Sequence, residues 1–228
     1  MILIQTRLAA IFLVIAGGPA SAQAGDWANL ARYREANQSL KPIDSGRVIF
    51  IGDSITEGWG SQPFLHSNSH FVDRGISGQT APQMLVRFQS DAIALKPALV
   101  HIMAGTNDIA GNTGPETDDE IFGYIVSMVQ LAEANRIKVI LASIPPAADF
   151  PWRRGLDPAP KIKRLNARLK AYAIGHRLVY ADYWDVLKSG NDGMKAEYSD
   201  DGVHPNARGY DAMGPITKAA IRRAMHER

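Results

Sequence analysis

The stretch Val48-Ile49-Phe50-Ile51-Gly52-Asp53-Ser54-Ile55-Thr56-Glu57-Gly58-Trp59-Gly60 decides the reading of this chain. Its first four residues are apolar without alternation, the pattern of a strand buried on both faces of a parallel sheet. The apolar run stops at Gly52, and a polar, glycine-rich segment follows. A serine placed where a buried strand ends sits at a sheet edge with its hydroxyl in open space. Nucleophilic serines need that position.

Further short apolar runs lie at Phe71 to Arg74, Leu99 to Ala104, Val139 to Ile144 and Leu178 to Ala181. Helical patterns separate them. Thr80-Ala81-Pro82-Gln83 spells a capping box with proline in the first turn, opening a helix to about Ser90. Thr117-Asp118-Asp119-Glu120 is a second box, ahead of an apolar periodicity to about Ala134. Ile162, Leu165, Leu169 and Tyr172 recur at helical spacing within Lys161 to Ala173, and Asn206 to Met225 closes the chain as a helix. Asp26 to Gln38 predicts an N-terminal helix packed outside the sheet. Strands alternating with helices imply right-handed crossovers and a three-layer α/β/α sandwich. Five strands suggest the flavodoxin-like order 2-1-3-4-5. In that order the carboxyl ends of the first three strands share one crevice. Ser54, the Gly75 to Gly78 turn and Gly105-Thr106-Asn107-Asp108 would meet there.

The chain has 228 residues, 46% hydrophobic and 21% charged, with a net charge of +2. These values suit one globular domain and offer no basic stripe for nucleic acid. Arg7, the apolar run Leu8 to Ile15 and the small triplet Ala20-Ser21-Ala22 have the order of a secretory signal peptide. Cleavage after Ala22 would leave a single domain, residues 23–228, periplasmic or secreted, without stable membrane insertion. The alternative, a retained anchor, needs a longer apolar run than this one. The chain has no cysteine, so disulfides and thiol chemistry are excluded. Nothing in the sequence speaks to oligomeric state.

Acyl transfer needs a nucleophile, a base, a group that orients the base, and donors for the developing oxyanion. Ser54 supplies a hydroxyl. His204 is the one histidine of six set in a compact polar turn with an acid close by, Asp201-Gly202-Val203-His204-Pro205. Asp201 can hydrogen-bond the imidazole. Alone, His204 reads equally well as a surface residue ahead of a helix that Pro205 begins. Gly78 lies in a glycine turn just before a helix, where its N–H can approach an oxygen closely. Asn107 follows a buried strand and offers a neutral amide donor. Each residue has a plain turn-forming reading; their shared position at one sheet edge favours the catalytic one.

Gly52-Asp53-Ser54, Gly78 within GISGQT, Gly105-Thr106-Asn107-Asp108 and Asp201-Gly202-Val203-His204 resemble, in order, the four sequence blocks of the SGNH or GDSL hydrolases. The similarity runs from about Val48 to Gly214. It implies Ser54 as nucleophile and His204 as base. Asp201 would be its partner, in preference to Asp200. It implies an oxyanion hole from the Ser54 and Gly78 backbone N–H groups and the Asn107 amide. The nearest subgroup resembles bacterial esterases similar to platelet-activating-factor acetylhydrolase subunits. Several exported relatives deacetylate carbohydrates. No metal or cofactor is implied.

The segment from Pro145 to Pro160 follows the fourth strand on the same edge, is stiffened by proline, and carries Trp152 and Arg153. These two, with Trp59, are candidate substrate-wall residues; packing on the body is the alternative for both tryptophans. The expected substrate is a small-molecule or glycan ester, acetyl foremost. A lysophospholipase or thioesterase of the same family is a second reading, and a noncatalytic glycan-binding module a third. Nucleotide binding lacks both G-x-x-x-x-G-K-[ST] and G-x-G-x-x-G, and His66 and His70 lack the glutamate of a zinc-protease helix.

Overall fold

The computed structural model describes residues 25–41 and 46–226. The signal-like segment, with its cleavage point after Ala22, lies outside the described residues. Helix α1 (Arg34–Gln38) precedes β1 (Val48–Gly52), which leads straight into α2 (Ser54–Gly60) and α3 (Pro63–His66). Next come β2 (Phe71–Gly75), α4 (Ala81–Asp91), β3 (Leu99–Met103), α5 (Thr106–Ala110) and α6 (Asp118–Ala134). The chain ends through β4 (Lys138–Ala142), α7 (Ala159–Gly175), β5 (Val179–Ala181), α8 (Trp184–Leu187) and α9 (Ala207–His226). All strand pairs are parallel and the sheet order is β2-β1-β3-β4-β5, the flavodoxin-like order expected. Among the described residues no helix is long and apolar enough to cross a membrane.

Neighbouring strand residues point to opposite faces and feed two separate cores. Ile49 and Ile51 of β1 pack with Met84, Phe88, Ile125 and Leu165, drawn from α4, α6 and α7. Val48 and Phe50 pack with Trp59, Leu65, Tyr210 and Met213, drawn from α2, α3 and α9. Both capping boxes form: Gln83 accepts from the Thr80 N–H at 3.0 Å and Glu120 from the Thr117 N–H at 2.8 Å. Such N-terminal caps stabilise a helix by about 1 kcal/mol each.

Two sequence expectations fail here. The N-terminal helix is only Arg34–Gln38; residues before it form turns. The Asp26 carboxylate takes the Leu30 and Ala31 N–H groups, and Asn29 adopts a left-handed φ of 55°, so helical bonding cannot start there. Trp59 is not a substrate wall. It is 0% exposed, ringed by Phe50, Phe64, Tyr183 and Tyr210. The segment after Ser54 is helical, and five helical residues rotate a side chain by roughly 140°, which turns Trp59 inward.

The segment after β3 is fastened to α4 through Asp108. Its Oδ1 accepts the Ala81 N–H at 2.8 Å, while its Oδ2 is buried without a partner among the described residues, as is Glu116 Oε2. Burial, with Glu116 alongside, pushes Asp108 from its ordinary 3.8 up to about 8. The folded chain therefore keeps a proton that the unfolded chain has released. Stability from this group is full below about 3.8, declines as pH rises, and levels off above about 8. Asp108→Asn supplies a permanent amide donor in place of that proton. Its melting temperature should exceed that of the native chain by a margin that widens by several degrees between pH 6 and 8 and then holds steady. A margin independent of pH in scanning calorimetry would refute the retained proton.

Candidate active site

Ser54 opens α2, and Asp53 caps it: Asp53 Oδ1 accepts the Ile55 N–H at 2.9 Å. Asp53 thus has a structural task, closing the first turn of the helix. Burial pushes it up to about 6, and the Ile55 hydrogen bond opposes that rise. Parallel pairing sets Gly52 level with Gly75 on one side and Met103 on the other. The segments following the three strands therefore emerge together. Glu57 of α2 reinforces this by accepting the Ser77 N–H at 2.9 Å. Buried Arg87 of α4 donates to Gly52 O at 2.9 Å and to Gln79 Oε1 at 2.5 Å.

His204 arrives from the opposite end of the chain. A bridge between Ser199 and Pro205 closes a tight loop ahead of α9. Within it Asp201 Oδ1 accepts from Ser199 Oγ at 3.1 Å, Val203 N at 2.9 Å and His204 N at 2.8 Å. Its Oδ2 lies 2.6 Å from His204 Nδ1. Partial burial pushes Asp201 up, but the His204 ring and the His204 and Val203 amides outweigh it and hold the carboxyl at about 2. Asp201 is thus ionised, and an ionised carboxylate only accepts, so Nδ1 carries the hydrogen. His204 Nε2 lies 2.9 Å from Ser54 Oγ. With Nδ1 donating, Nε2 is free to accept the serine proton. Tyr210 of α9 locks the approach by donating to Ile55 O at 2.8 Å.

These groups open onto a cleft of about 350 Å³ lined by Ser54, Ser77, Gly78, Asn107, Asn112, Trp152 and His204. Gly78 has a φ of 78°, and among the described residues its N–H and that of Ser54 take no acceptor. Asn107 Nδ2 faces Gln79 O at 3.1 Å and, more loosely, Asp53 Oδ2 at 3.4 Å. The sequence-predicted set Ser54, Gly78, Asn107, Asp201 and His204 is therefore gathered at one place, together with Trp152. Asp200 makes none of the contacts that hold the His204 ring.

Arg153 departs from expectation. Its Nη1 donates to Ala110 O at 2.7 Å and Gly111 O at 2.9 Å, so it ties off the end of α5 rather than lining the cleft. Carbonyls at a helix end lack intrahelical partners and attract such a cation. Trp152, stacked on Phe150 with ring centroids 5.1 Å apart, stands 6.0 Å from the His204 ring. Sequence reasoning missed Asn112, which lines the same cleft; its place right after Gly111 in Ala110-Gly111-Asn112 was the available signal.

Other features are not chemical centres. A larger hollow of about 580 Å³ is lined by Val48, Phe64, Phe71 and Ile221 together with Ser67 and His70, and there Ser67 Oγ donates to Phe64 O at 2.8 Å. His101 is wholly buried, which drives it down to about 3 and keeps it neutral. Its Nε2 lies 2.9 Å from the Tyr183 hydroxyl. Among the described residues, no group of three or more His, Cys, Asp or Glu side chains is placed to hold a metal.

Comparison with known proteins agrees with the fold. A GDSL-like lipase from Bacteroides thetaiotaomicron is 47% identical, with 86% of this chain and 98% of that one covered at a TM-score of 0.83. A Bacteroides fragilis protein assigned to the acylhydrolases is 50% identical, with 88% and 99% covered and a TM-score of 0.85. An acetylxylan esterase of Geobacillus stearothermophilus is 36% identical over 92 residues, 29% of this chain and 42% of that enzyme. A multidomain esterase of Ruminococcus flavefaciens is 27% identical over 121 residues, 52% of this chain and 15% of the relative. The chain thus spans less than half the length of these two curated relatives. Residues 50–212 match the model of the GDSL-like Lipase/Acylhydrolase family, and with the sheet order and the four blocks in sequence this chain belongs to that family.

Proposed function

We propose that this chain is a serine esterase that hydrolyses short-acyl carboxylic esters, acetyl esters of carbohydrates foremost, through an acyl-enzyme. One observation carries the reading. Ser54 Oγ, His204 and Asp201 form a continuous relay, at 2.9 Å and 2.6 Å, opening onto the cleft that Gly78 and Asn107 line. Ser54 Oγ attacks the ester carbonyl while His204 Nε2 takes its proton. The carbonyl oxygen becomes an oxyanion held by the Ser54 and Gly78 N–H groups and Asn107 Nδ2. His204 returns the proton to the leaving alkoxide, and the alcohol departs. Water, deprotonated by the same nitrogen, then attacks the acyl-enzyme and releases the acid.

The cleft supports a small acyl group. At about 350 Å³ it lies at the low end for small-ligand sites, and Trp152 is the one large apolar side chain lining it. A lysophospholipid would need a longer apolar channel. An exposed indole beside the base suits a sugar ring, and the name of one relative, an acetylxylan esterase, points the same way. We place the enzyme outside the cytoplasm on the strength of the signal-like N-terminus. N-terminal sequencing of the protein recovered from the periplasm or medium should begin at Gln23; an intact Met1 there would refute cleavage.

Turnover of nitrophenyl esters should fall sharply beyond short acyl chains, with acetate freed from acetylated xylan. Preference for long chains or for lysophospholipid would move the substrate to the lipid class. Ser54→Ala should abolish all of these activities at an unchanged melting temperature. Residual turnover by that variant, after removal of contaminating esterases, would mean another nucleophile. Asn107→Ala should lower kcat by about 10²–10³-fold, as for loss of one oxyanion donor. A kcat within a few-fold of native would exclude that amide from the hole.

A further inference from the structure

Helix α5 ends in a left-handed turn that reverses the chain onto the helix itself. Gly111 has a φ of 69°; its N–H donates to Asp108 O at 2.9 Å, and the Asn112 N–H donates to Asn107 O at 3.0 Å. This pair of bonds is a Schellman ending, and it brings the residue after the glycine back over the last turn. Asn112 therefore lies against Asn107. Its Nδ2 donates to Asn107 Oδ1 at 2.9 Å and to Gly78 O at 3.1 Å, while its Oδ1 accepts Trp152 Nε1–H at 3.2 Å. Three sequence-distant parts of the cleft converge on one exposed amide.

A primary amide has nearly the same shape when its oxygen and nitrogen exchange places, so only its partners decide which end points where. Around Asn107 the partners agree. Gln79 O and Asp53 Oδ2 can only accept and face Nδ2; Asn112 Nδ2 can only donate and faces Oδ1. Of the two Nδ2 hydrogens one is held by Gln79 O, and the other makes only the loose 3.4 Å contact to Asp53, the contact that an oxyanion in the cleft would displace. We propose that Asn112 is the positioning residue of the oxyanion hole: it selects the orientation of the Asn107 amide and holds Gly78 and Trp152 in the same frame. The proposal rests on the reading of Asn107 and Gly78 as oxyanion donors.

Asn112→Asp and Asn112→Ala separate this role from a structural one. Aspartate keeps the shape and the acceptor for Trp152, but it sets a carboxylate oxygen against Asn107 Oδ1. Asn107 should rotate to donate to it, turning its carbonyl toward the substrate. We expect kcat to fall about 10²-fold with KM within a few-fold, close to the loss of a whole oxyanion donor. Alanine only removes bonds and leaves Gln79 and Asp53 to orient Asn107, so its loss should be smaller, roughly 10-fold. A scaffold role gives the reverse order, because aspartate preserves more of the native contacts. Added charge is controlled by a double-mutant cycle. In the Asn107→Ala background, Asn112→Asp should cost less than about 3-fold. A full loss in that background, or alanine worse than aspartate, would overturn the proposal. So would an Asn112→Asp enzyme of native kcat alongside an inactive Ser54→Ala. An active Ser54→Ala would instead reject the catalytic reading beneath it. A readout free of turnover is hydrogen exchange of the Asn107 side-chain amide followed by NMR, which should change in Asn112→Asp; an unchanged rate would count against the rotation.

Discussion

Everything at the cleft depends on the register of three parallel strands. β1 pairs with β2 from Val48↔Phe71 to Gly52↔Gly75, and with β3 from Val48↔Leu99 to Gly52↔Met103. Because the strands end level, the chain leaves each at the same height. Two glycines enforce the crowding this creates. A Cβ on Gly75 would stand 2.1 Å from Glu57 N, and one on Gly52 would stand 2.0 Å from Thr56 Oγ1. Helix α2 lies directly against the sheet edge and could not do so past larger residues. Arg87 and Asp91, both buried, brace the same corner from α4 at 3.3 Å. Removing one partner of such a pair typically costs about 3–5 kcal/mol, since the other charge stays buried alone.

Three aspartates near the cleft are driven apart by their surroundings. Asp201 is half exposed and receives hydrogen bonds on both oxygens, so its charge is favoured. Asp53 and Asp108 are enclosed, and burial favours their neutral forms. The same residue type thus serves to hold a charge beside an imidazole, to cap a helix and to keep a proton. Donor count and water access decide which role each takes.

The sheet was legible because burial on both faces leaves unbroken apolar runs, and α4 and α6 because their caps are local side-chain chemistry. Strand ends were read to within one or two residues. The short helices α2, α3, α5 and α8 were not legible: seven residues or fewer display too little periodicity. Ser54, Gly78, Asn107, Asp201 and His204 could be picked out because each follows a strand or precedes a helix that the pattern located. Asp201 and His204 also lie within one turn. What eluded sequence reasoning depends on partners remote along the chain. Trp59 is claimed by aromatic rings from four other elements and loops. Arg153 answers carbonyls exposed where α5 stops, more than forty residues earlier. Asn112 gains its place from a helix ending whose glycine was visible but whose reversal was not.

The hydroxyl of Ser54 and the imidazole of His204 are separated by 150 positions in the chain. A polypeptide emerging from the ribosome therefore holds half of the relay long before the other half exists. Until the segment from Asp201 through α9 is out and has docked through Tyr210, Ser54 has no imidazole beside it. If the pair acts as the proposed nucleophile and base, ester turnover would serve as a gauge of how many molecules have docked α9 onto the sheet edge.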